Sequence, residues 1–278
     1  MAISRGVLHV HSTFSDGTLS PVQLKTWAMA ENLDFLILCE HASCLSSPQR
    51  FEQAWRECRQ LSDDGFLMAL GLEFDFRGRH VLLLGPSFIL SRARAEEVVE
   101  HPEKFRENGC ISIWAHPTAT YEWSLRNGMT AQYDGWEVWN RLANGPVPDL
   151  PMLGALRKAR SRGRNLLAFA GSDFHFEHHT LSPILEIEMQ SFSFEALSSS
   201  LRQGSFRSKT TVSSQGFTLY PTGEIRGTFP AWGKAYAITR DLLLRGRCMG
   251  ALLRHRLIRR HRSKSKERAA KRPSNRSP

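Results

Sequence analysis

After Asp34 the chain runs Phe35-Leu36-Ile37-Leu38-Cys39 without a polar residue and then stops on Glu40-His41. An apolar run this short reads as a strand buried on both faces, not as a helix. Such runs recur: Val7-Leu8 leading into His9-Val10-His11, Phe66 to Leu72, His80 to Gly85, Ile111 to Ala115, Gly135 to Trp139, Leu166 to Ala170 and Ile184 to Met189. Stripes at helical spacing lie between them. One starts at Ser20-Pro21 and carries Leu24, Trp27 and Ala28. Others run from Gln49 to Leu61, from Arg92 to Asn108 with a break at Pro102, from Met152 to Arg162 before Gly163, and from Phe194 to Leu201 before Gly204. Ser before Pro at a helix start, and Gly after its end, are the expected caps. Strands alternating with helices predict a parallel sheet in a barrel-like α/β fold. With 278 residues, 41% of them apolar, the chain can build one large core.

In such folds functional groups collect at the C-terminal strand ends. Ordinary strand ends carry Gly, Asn, Asp and Ser. Here they carry His9, His11, His41, Glu73, His116, Asp173 and His175, and His80 opens the strand after Glu73. Six of the eleven His fall at these junctions. His9 and His11, two apart in a strand, are expected to face one side. Asp16 follows on a short loop that Gly17 relaxes. Imidazoles mixed with carboxylates suit a divalent ion of the Zn, Mn or Fe kind.

The ordered set H-V-H-S-T-F-S-D-G, C-E-H, G-L-E, R-H-V-L-L-L-G, A-H-P and G-S-D-F-H resembles the PHP (polymerase and histidinol phosphatase) family from about Gly6 to Lys209. The resemblance implies a distorted seven-stranded β/α barrel with a trinuclear metal centre in its mouth. His9, His11, Glu73 and Asp173 would hold one ion. Glu73 would bridge to a second, held also by His80 and His116. Asp16, His41 and His175 would hold the third. Glu40 stands where the family usually has Asp before its His. The implied activity is that of a phosphoesterase acting on a phosphomonoester or phosphodiester of a small molecule or nucleotide. Clustered cations give a hydroxide near neutral pH and neutralise charge on phosphoryl oxygens. Arg141 is either a bidentate phosphate clamp or a surface loop arginine. His178 is either a proton donor to the leaving oxygen or a solvated loop His. Asn140 and Ser12 are weaker pocket candidates, and Trp114, Trp136 and Trp139 read as core. A C–N hydrolase on the same barrel and a non-catalytic nucleic-acid or membrane-surface binder are the competing functions. A scaffold, however, has no need of nine converging ligands.

Residues 1–212 thus read as the barrel. Residues 213–239, rich in Gly, Pro and Thr, read as a small hairpin lying on it. Residues 240–278 read as a basic tail, helical and then disordered. The tail holds 14 of the 37 Lys and Arg against two acids, or +12, which leaves −2 on the rest of a chain whose net charge is +10. That asymmetry predicts either plain solvation or a weak contact with RNA or an anionic membrane surface. Five Cys without framework spacing, no leader pattern and no membrane-length apolar run predict a cytoplasmic protein.

Overall fold

A computed structural model of the chain describes residues 3–117, 132–177, 179–210 and 216–229, with Tyr236 and Thr239. Apart from Thr239 these fall in one compact unit, Met1–Ala237. The tail assigned to residues 240–278 lies outside the described residues.

The fold is mixed α/β. Its strands are β1 (Ile3–Val10), β2 (Phe35–His41), β3 (Leu67–Phe76), β4 (Arg79–Leu84), β5 (Ile111–Trp114), β6 (Gly135–Asn140), β7 (Leu167–Gly171), β8 (Ile184–Glu188), β9 (Phe206–Lys209), β10 (Phe217–Leu219) and β11 (Ile225–Gly227). They form a single sheet in the order β11-β10-β9-β8-β1-β2-β3-β4-β5-β6-β7. From β1 to β8 both faces are largely buried, which is why these strands read as nearly unbroken apolar runs, whereas β9 to β11 are partly exposed. Leu8, Ile37, Ala69, Leu82, Ile113, Phe169 and Leu185 pack together on one face. Val7, Leu36, Met68, Val81, Trp114 and Ala168 pack on the other.

The alternating pattern predicts a parallel sheet, but the sheet is mixed. β1, β2 and β3 are parallel neighbours, as are β5, β6 and β7. β4, however, runs antiparallel to both β3 and β5, and β8 runs antiparallel to β1. The reason for the first reversal is local. Only Arg77 and Gly78 join β3 to β4, and both have positive φ, 56° and 74°. A two-residue turn of that shape matches the twist of a hairpin and leaves no length for a crossover.

The segment after β7 returns to β1. The Ser172 amide donates to the Leu8 carbonyl at 2.8 Å, and the His11 amide donates to the Phe174 carbonyl at 2.9 Å. The C-terminal ends of β1 and β7 are therefore held side by side. β10 and β11 pair as a hairpin, and β10 joins β9, so this hairpin extends the sheet. The Ala168 amide on β7 donates to the carbonyl of Pro221 in the hairpin turn at 2.8 Å.

The longer helices follow their caps. Ser20 and Gln23 form a capping box on Pro21–Ala30, and Ser47, Asp149 and Ser193 cap Pro48–Leu61, Leu150–Ser161 and Phe194–Gln203. The helix read from Arg92 to Asn108 is two short helices, Ala95–Glu100 and Glu103–Arg106, separated at His101-Pro102. Trp114, Trp136 and Trp139 are buried in the core. Among the described residues no helix is long and apolar enough to cross a membrane, and Cys39, Cys44, Cys58 and Cys110 are free thiols.

Close strand packing and helix propensity act in opposite directions at two glycines. A Cβ at Gly6 would overlap the ring and carbonyl of Phe35, whereas one at Gly154, within Leu150–Ser161, meets nothing within 4 Å. Gly6→Ala should lower unfolding free energy by about 1–3 kcal/mol through overpacking. Gly154→Ala should raise it by about 0.5–1 kcal/mol. Urea denaturation measures both, and a destabilised Gly154→Ala would contradict the open surface at that position.

Candidate metal centre

β1 ends in a bulge. Leu8 pairs with Ile37 and Val10 with Leu38, so His9 is the extra residue, with φ 66°. Simple alternation would put Leu8 and Val10 on one face. The bulge instead sends Leu8 to one core cluster and Val10 to the other. It also brings the rings of His9 and His11 to 5.1 Å. Their Nε2 atoms lie 3.7 and 3.6 Å from Glu73 Oε2, and each lies 3.5 Å from Asp173 Oδ1. Both Nε2 atoms are buried and make no hydrogen bond. Buried polar atoms are nearly always satisfied. Two donors at about 2.0–2.2 Å from one ion sit roughly 3–3.5 Å apart, so His9, His11 and Asp173 are spaced as groups that could share an ion, with Glu73 Oε2 slightly farther off.

Glu73 stands at the centre. β2 and β3 are in register at His41 and Glu73, so both side chains leave the sheet at one level. Glu73 Oε1 is 2.7 Å from His80 Nδ1 and 3.2 Å from His116 Nε2, and its Oε2 is 3.1 Å from His41 Nδ1. Asp16, half-exposed, spans the mouth: its two oxygens each lie 3.3 Å from a ring nitrogen, of His175 and of His41. Its loop is anchored by the Thr18 amide, which donates to the His175 carbonyl at 2.8 Å. Gly17 has no alternative there, because a Cβ would overlap the His11 carbonyl.

Three groups of donors result: His11, Asp16, His41 and His175; His9, Glu73 and His116; and His9, His11 and Asp173. Every ligand named from the sequence except His80 belongs to one of them. His80 is held against the centre by Glu73. The grouping differs from the family pattern in detail, since His11 joins the Asp16 group and His9 joins the Glu73–His116 group.

The electrostatics are those of a site short of positive charge. Burial acts to raise the Glu73 carboxyl, but the charge on His9 and hydrogen bonds from His116, His41 and His80 outweigh it and hold Glu73 well below the usual carboxylate range. Asp173 is likewise buried and likewise held low by His9, His11 and His116. Burial acts to lower His9, yet Glu137, Asp173 and Glu73 lift it well above the ordinary imidazole value. His116 is raised against its burial by Glu73, and the Glu73 hydrogen bond brings His41 to about 8. His11 is different: burial lowers it to about 4, so its ring is neutral at pH 7.

The other residues named from the sequence fall as follows. Arg141 follows β6, and its Nε donates to Thr180 Oγ1 at 3.3 Å, on the loop beyond His175. His178 lies outside the described residues. Asn140 bridges Glu137 and Asp173 through Nδ2, at 2.9 and 3.2 Å. The Ser12 amide donates to Glu40 Oε1 at 3.0 Å, and the Ser15 hydroxyl bonds Glu40 Oε2 while standing 3.3 Å from His11 Nδ1. Glu40 is thus linked to His11 through Ser15, and burial pushes its carboxyl up to about 7. Sequence reasoning missed Glu137, whose Oε1 is 2.9 Å from His9 Nδ1. The available signal was a Glu in the otherwise apolar strand Gly135-Trp136-Glu137-Val138-Trp139.

No family model matches the chain. Over 142 residues, 50% of this chain, the sequence is 29% identical to a 5'-3' exoribonuclease of Haemophilus influenzae, and the match covers 46% of that protein. The chain thus spans about half the length of this curated relative. Among solved structures, a two-domain protein from Bacteroides vulgatus containing a predicted PHP-like metal-dependent phosphoesterase superposes with a TM-score of 0.52 at 18% identity, over 74% of this chain and 64% of that one. At that identity the likeness is one of fold.

Metal entry should displace protons, because His9, His41 and His116 carry raised pKa values and only a neutral imidazole nitrogen ligates. The chain stripped with chelator and reloaded with Mn, Fe or Zn should retain divalent metal through gel filtration. Its affinity should fall as pH is lowered from about 8 towards about 6. Elemental analysis and calorimetry check this, and a chain that takes up none of the three metals would contradict the donor geometry.

Proposed function

We propose that this chain, whose fold is that of the PHP-like proteins, is a metal-dependent phosphoesterase acting on a nucleotide or an RNA end. The observation that supports it most is the pair of buried Nε2 atoms of His9 and His11, without hydrogen-bond partners and directed at Glu73 and Asp173. A mixed N/O donor set without Cys suits Mn, Fe or Zn. Three ions are proposed, one for each donor group, with His80 completing the ligands around Glu73. Bound ions of this kind supply a hydroxide near neutral pH and neutralise developing charge on phosphoryl oxygens.

The chain's own residues do the rest. Glu73 presents its two oxygens to different imidazoles and so ties neighbouring donor groups together. Asp16 does the same at the open side between His41 and His175. Arg141 is assigned to binding the substrate phosphate, with Thr180 orienting its guanidinium. His178, three residues beyond His175, is assigned to protonating the leaving oxygen. The exoribonuclease relative favours a phosphodiester or terminal phosphomonoester of a nucleotide over one of an unrelated small molecule. The basic segment from Arg240 onward is assigned a sequence-independent contact with a polyanion such as RNA.

Assay of the Mn-loaded chain against 5'-phosphorylated RNA oligonucleotides, nucleotides and p-nitrophenyl phosphate tests the reaction. Hydrolysis should depend on the metal and be lost on chelation. Glu73→Ala should lower kcat/KM by more than about 100-fold with its far-UV circular dichroism retained. Near-normal turnover by that variant would remove Glu73 from the centre. Deleting residues 262–278 should leave p-nitrophenyl phosphate hydrolysis intact and weaken RNA binding, most clearly at low salt. Unchanged RNA binding after the deletion would reduce the segment to a solubilising end.

A further inference from the structure

We propose that Glu137 is the positioning residue of the metal centre, through which His9, His116 and Asp173 are locked into the orientations that metal binding requires. This rests on the metal centre described under the proposed function. It adds a residue that ligates nothing and acts through three that do.

Glu137 is fully buried in β6. Its strand neighbours Trp136, Val138 and Trp139 all pack into the same core cluster. Strict alternation would have put Glu137 and Trp139 on one face. A register shift between them, with Glu137 opposite Phe169 and Trp139 opposite Ala170, separates the two. Glu137 is thereby left facing the metal centre, with Asn140 beside it at the strand end. A carboxylate in that position is not required for packing, since the apolar residues of β6 already fill the helix side.

All its hydrogen bonds go to the site. Oε1 accepts the Nδ1–H of His9 at 2.9 Å, which leaves Nε2 as the donor atom aimed at Glu73 and Asp173. Oε2 accepts the backbone N–H of His116 at 3.0 Å and the Asn140 Nδ2–H at 2.9 Å. The same Asn140 nitrogen reaches Asp173 Oδ2 at 3.2 Å, so Asp173 keeps Oδ1 towards His9 and His11. The three residues held in this way share a further property. His9, His116 and Asp173 have φ of 66°, 28° and 55°, and among the described residues the only other non-glycine positions with positive φ are Asn32 and Arg77. Left-handed backbone at such residues persists only where surroundings enforce it. One carboxylate supplies contacts to two of them and, through Asn140, to the third. Gly171 makes room for it: a Cβ there would overlap Glu137 Oε1 and stand 2.9 Å from His9 Cβ.

The test is Mn titration of the full chain followed by electron paramagnetic resonance, with circular dichroism and thermal melting as fold controls. Glu137→Gln keeps the shape but offers an N–H₂ where Glu137 accepts, so it should weaken binding of at least one ion by about 10–100-fold with the fold retained. Gly171→Ala, whose Cβ would crowd both the Glu137 carboxylate and His9 Cβ, should also weaken binding. Wild-type affinity in a folded Glu137→Gln chain overturns the proposal. Should the variants not fold, the zinc-loaded wild-type chain decides by imidazole nitrogen resonance: His9 is expected to be protonated at Nδ1 and ligated through Nε2, and ligation through Nδ1 overturns the proposal. Normal Mn binding that depends on Glu137, without phosphoester hydrolysis, would sink the phosphoesterase reading and leave this one standing. A wild-type chain that binds no metal would sink both.

Discussion

At His9 the backbone of β1 turns left-handed, and the layout of the mouth follows from where that turn sends the next side chains. A regular strand would have carried Leu8 and Val10 to one core and left His9 and His11 facing the other side together. The bulge divides the apolar residues between two clusters and still brings both imidazoles together. The returning segment after β7 completes the arrangement. The His9 carbonyl, freed from the β2 ladder, accepts the Phe174 amide at 3.2 Å, so Asp173 is carried to within reach of both rings. A bulge at a sheet's rim commonly re-aims side chains in this way.

The charges at the mouth exact a cost in the free chain. Glu73, Glu137 and Asp173 are all buried, and buried carboxylates are tolerated only when paired. Here the pairing falls to imidazoles, which accordingly hold their protons more tightly than usual at His9, His41 and His116. His11 remains neutral among them, because burial and neighbouring imidazoles work against a further charge. Cations would replace those protons and satisfy the two bare Nε2 atoms together. Stability and metal binding are therefore linked through the same groups: an ion that binds the folded chain alone stabilises it by mass action.

The arrangement also divides labour between strands and loops. His41 and Glu73 sit in register at the ends of adjacent parallel strands, so their relative height is set by the β2–β3 ladder itself. Asp16 and His175 lie on the segments following β1 and β7, tied to each other by hydrogen bonds at Thr18. The ladder gives the centre a rigid floor. The loops close it on the side where Asp16 remains half-exposed.

Much of this was legible from residue order alone. Apolar runs too short for helices located most of the strands, because burial on both faces leaves no polar alternation to confuse them with surface strands. Ligand-type residues at the ends of those runs located the mouth, because strand ends open where the chain leaves the core. The sequence therefore determined which residues stand at the mouth. It did not determine strand direction around β4, although Arg77-Gly78 held the hairpin signal, because alternating strands and helices suggested crossovers everywhere. It did not show the bulges at His9 and in β6, since a bulge inserts one residue and a period of two cannot register it. Nor did it mark the role of Glu137, the one charged residue in an otherwise apolar strand. Its partners His9 and His116 lie 128 and 21 residues away. Contacts that distant are decided by how the sheet curls, and only the tertiary structure decides which imidazole a buried carboxylate meets.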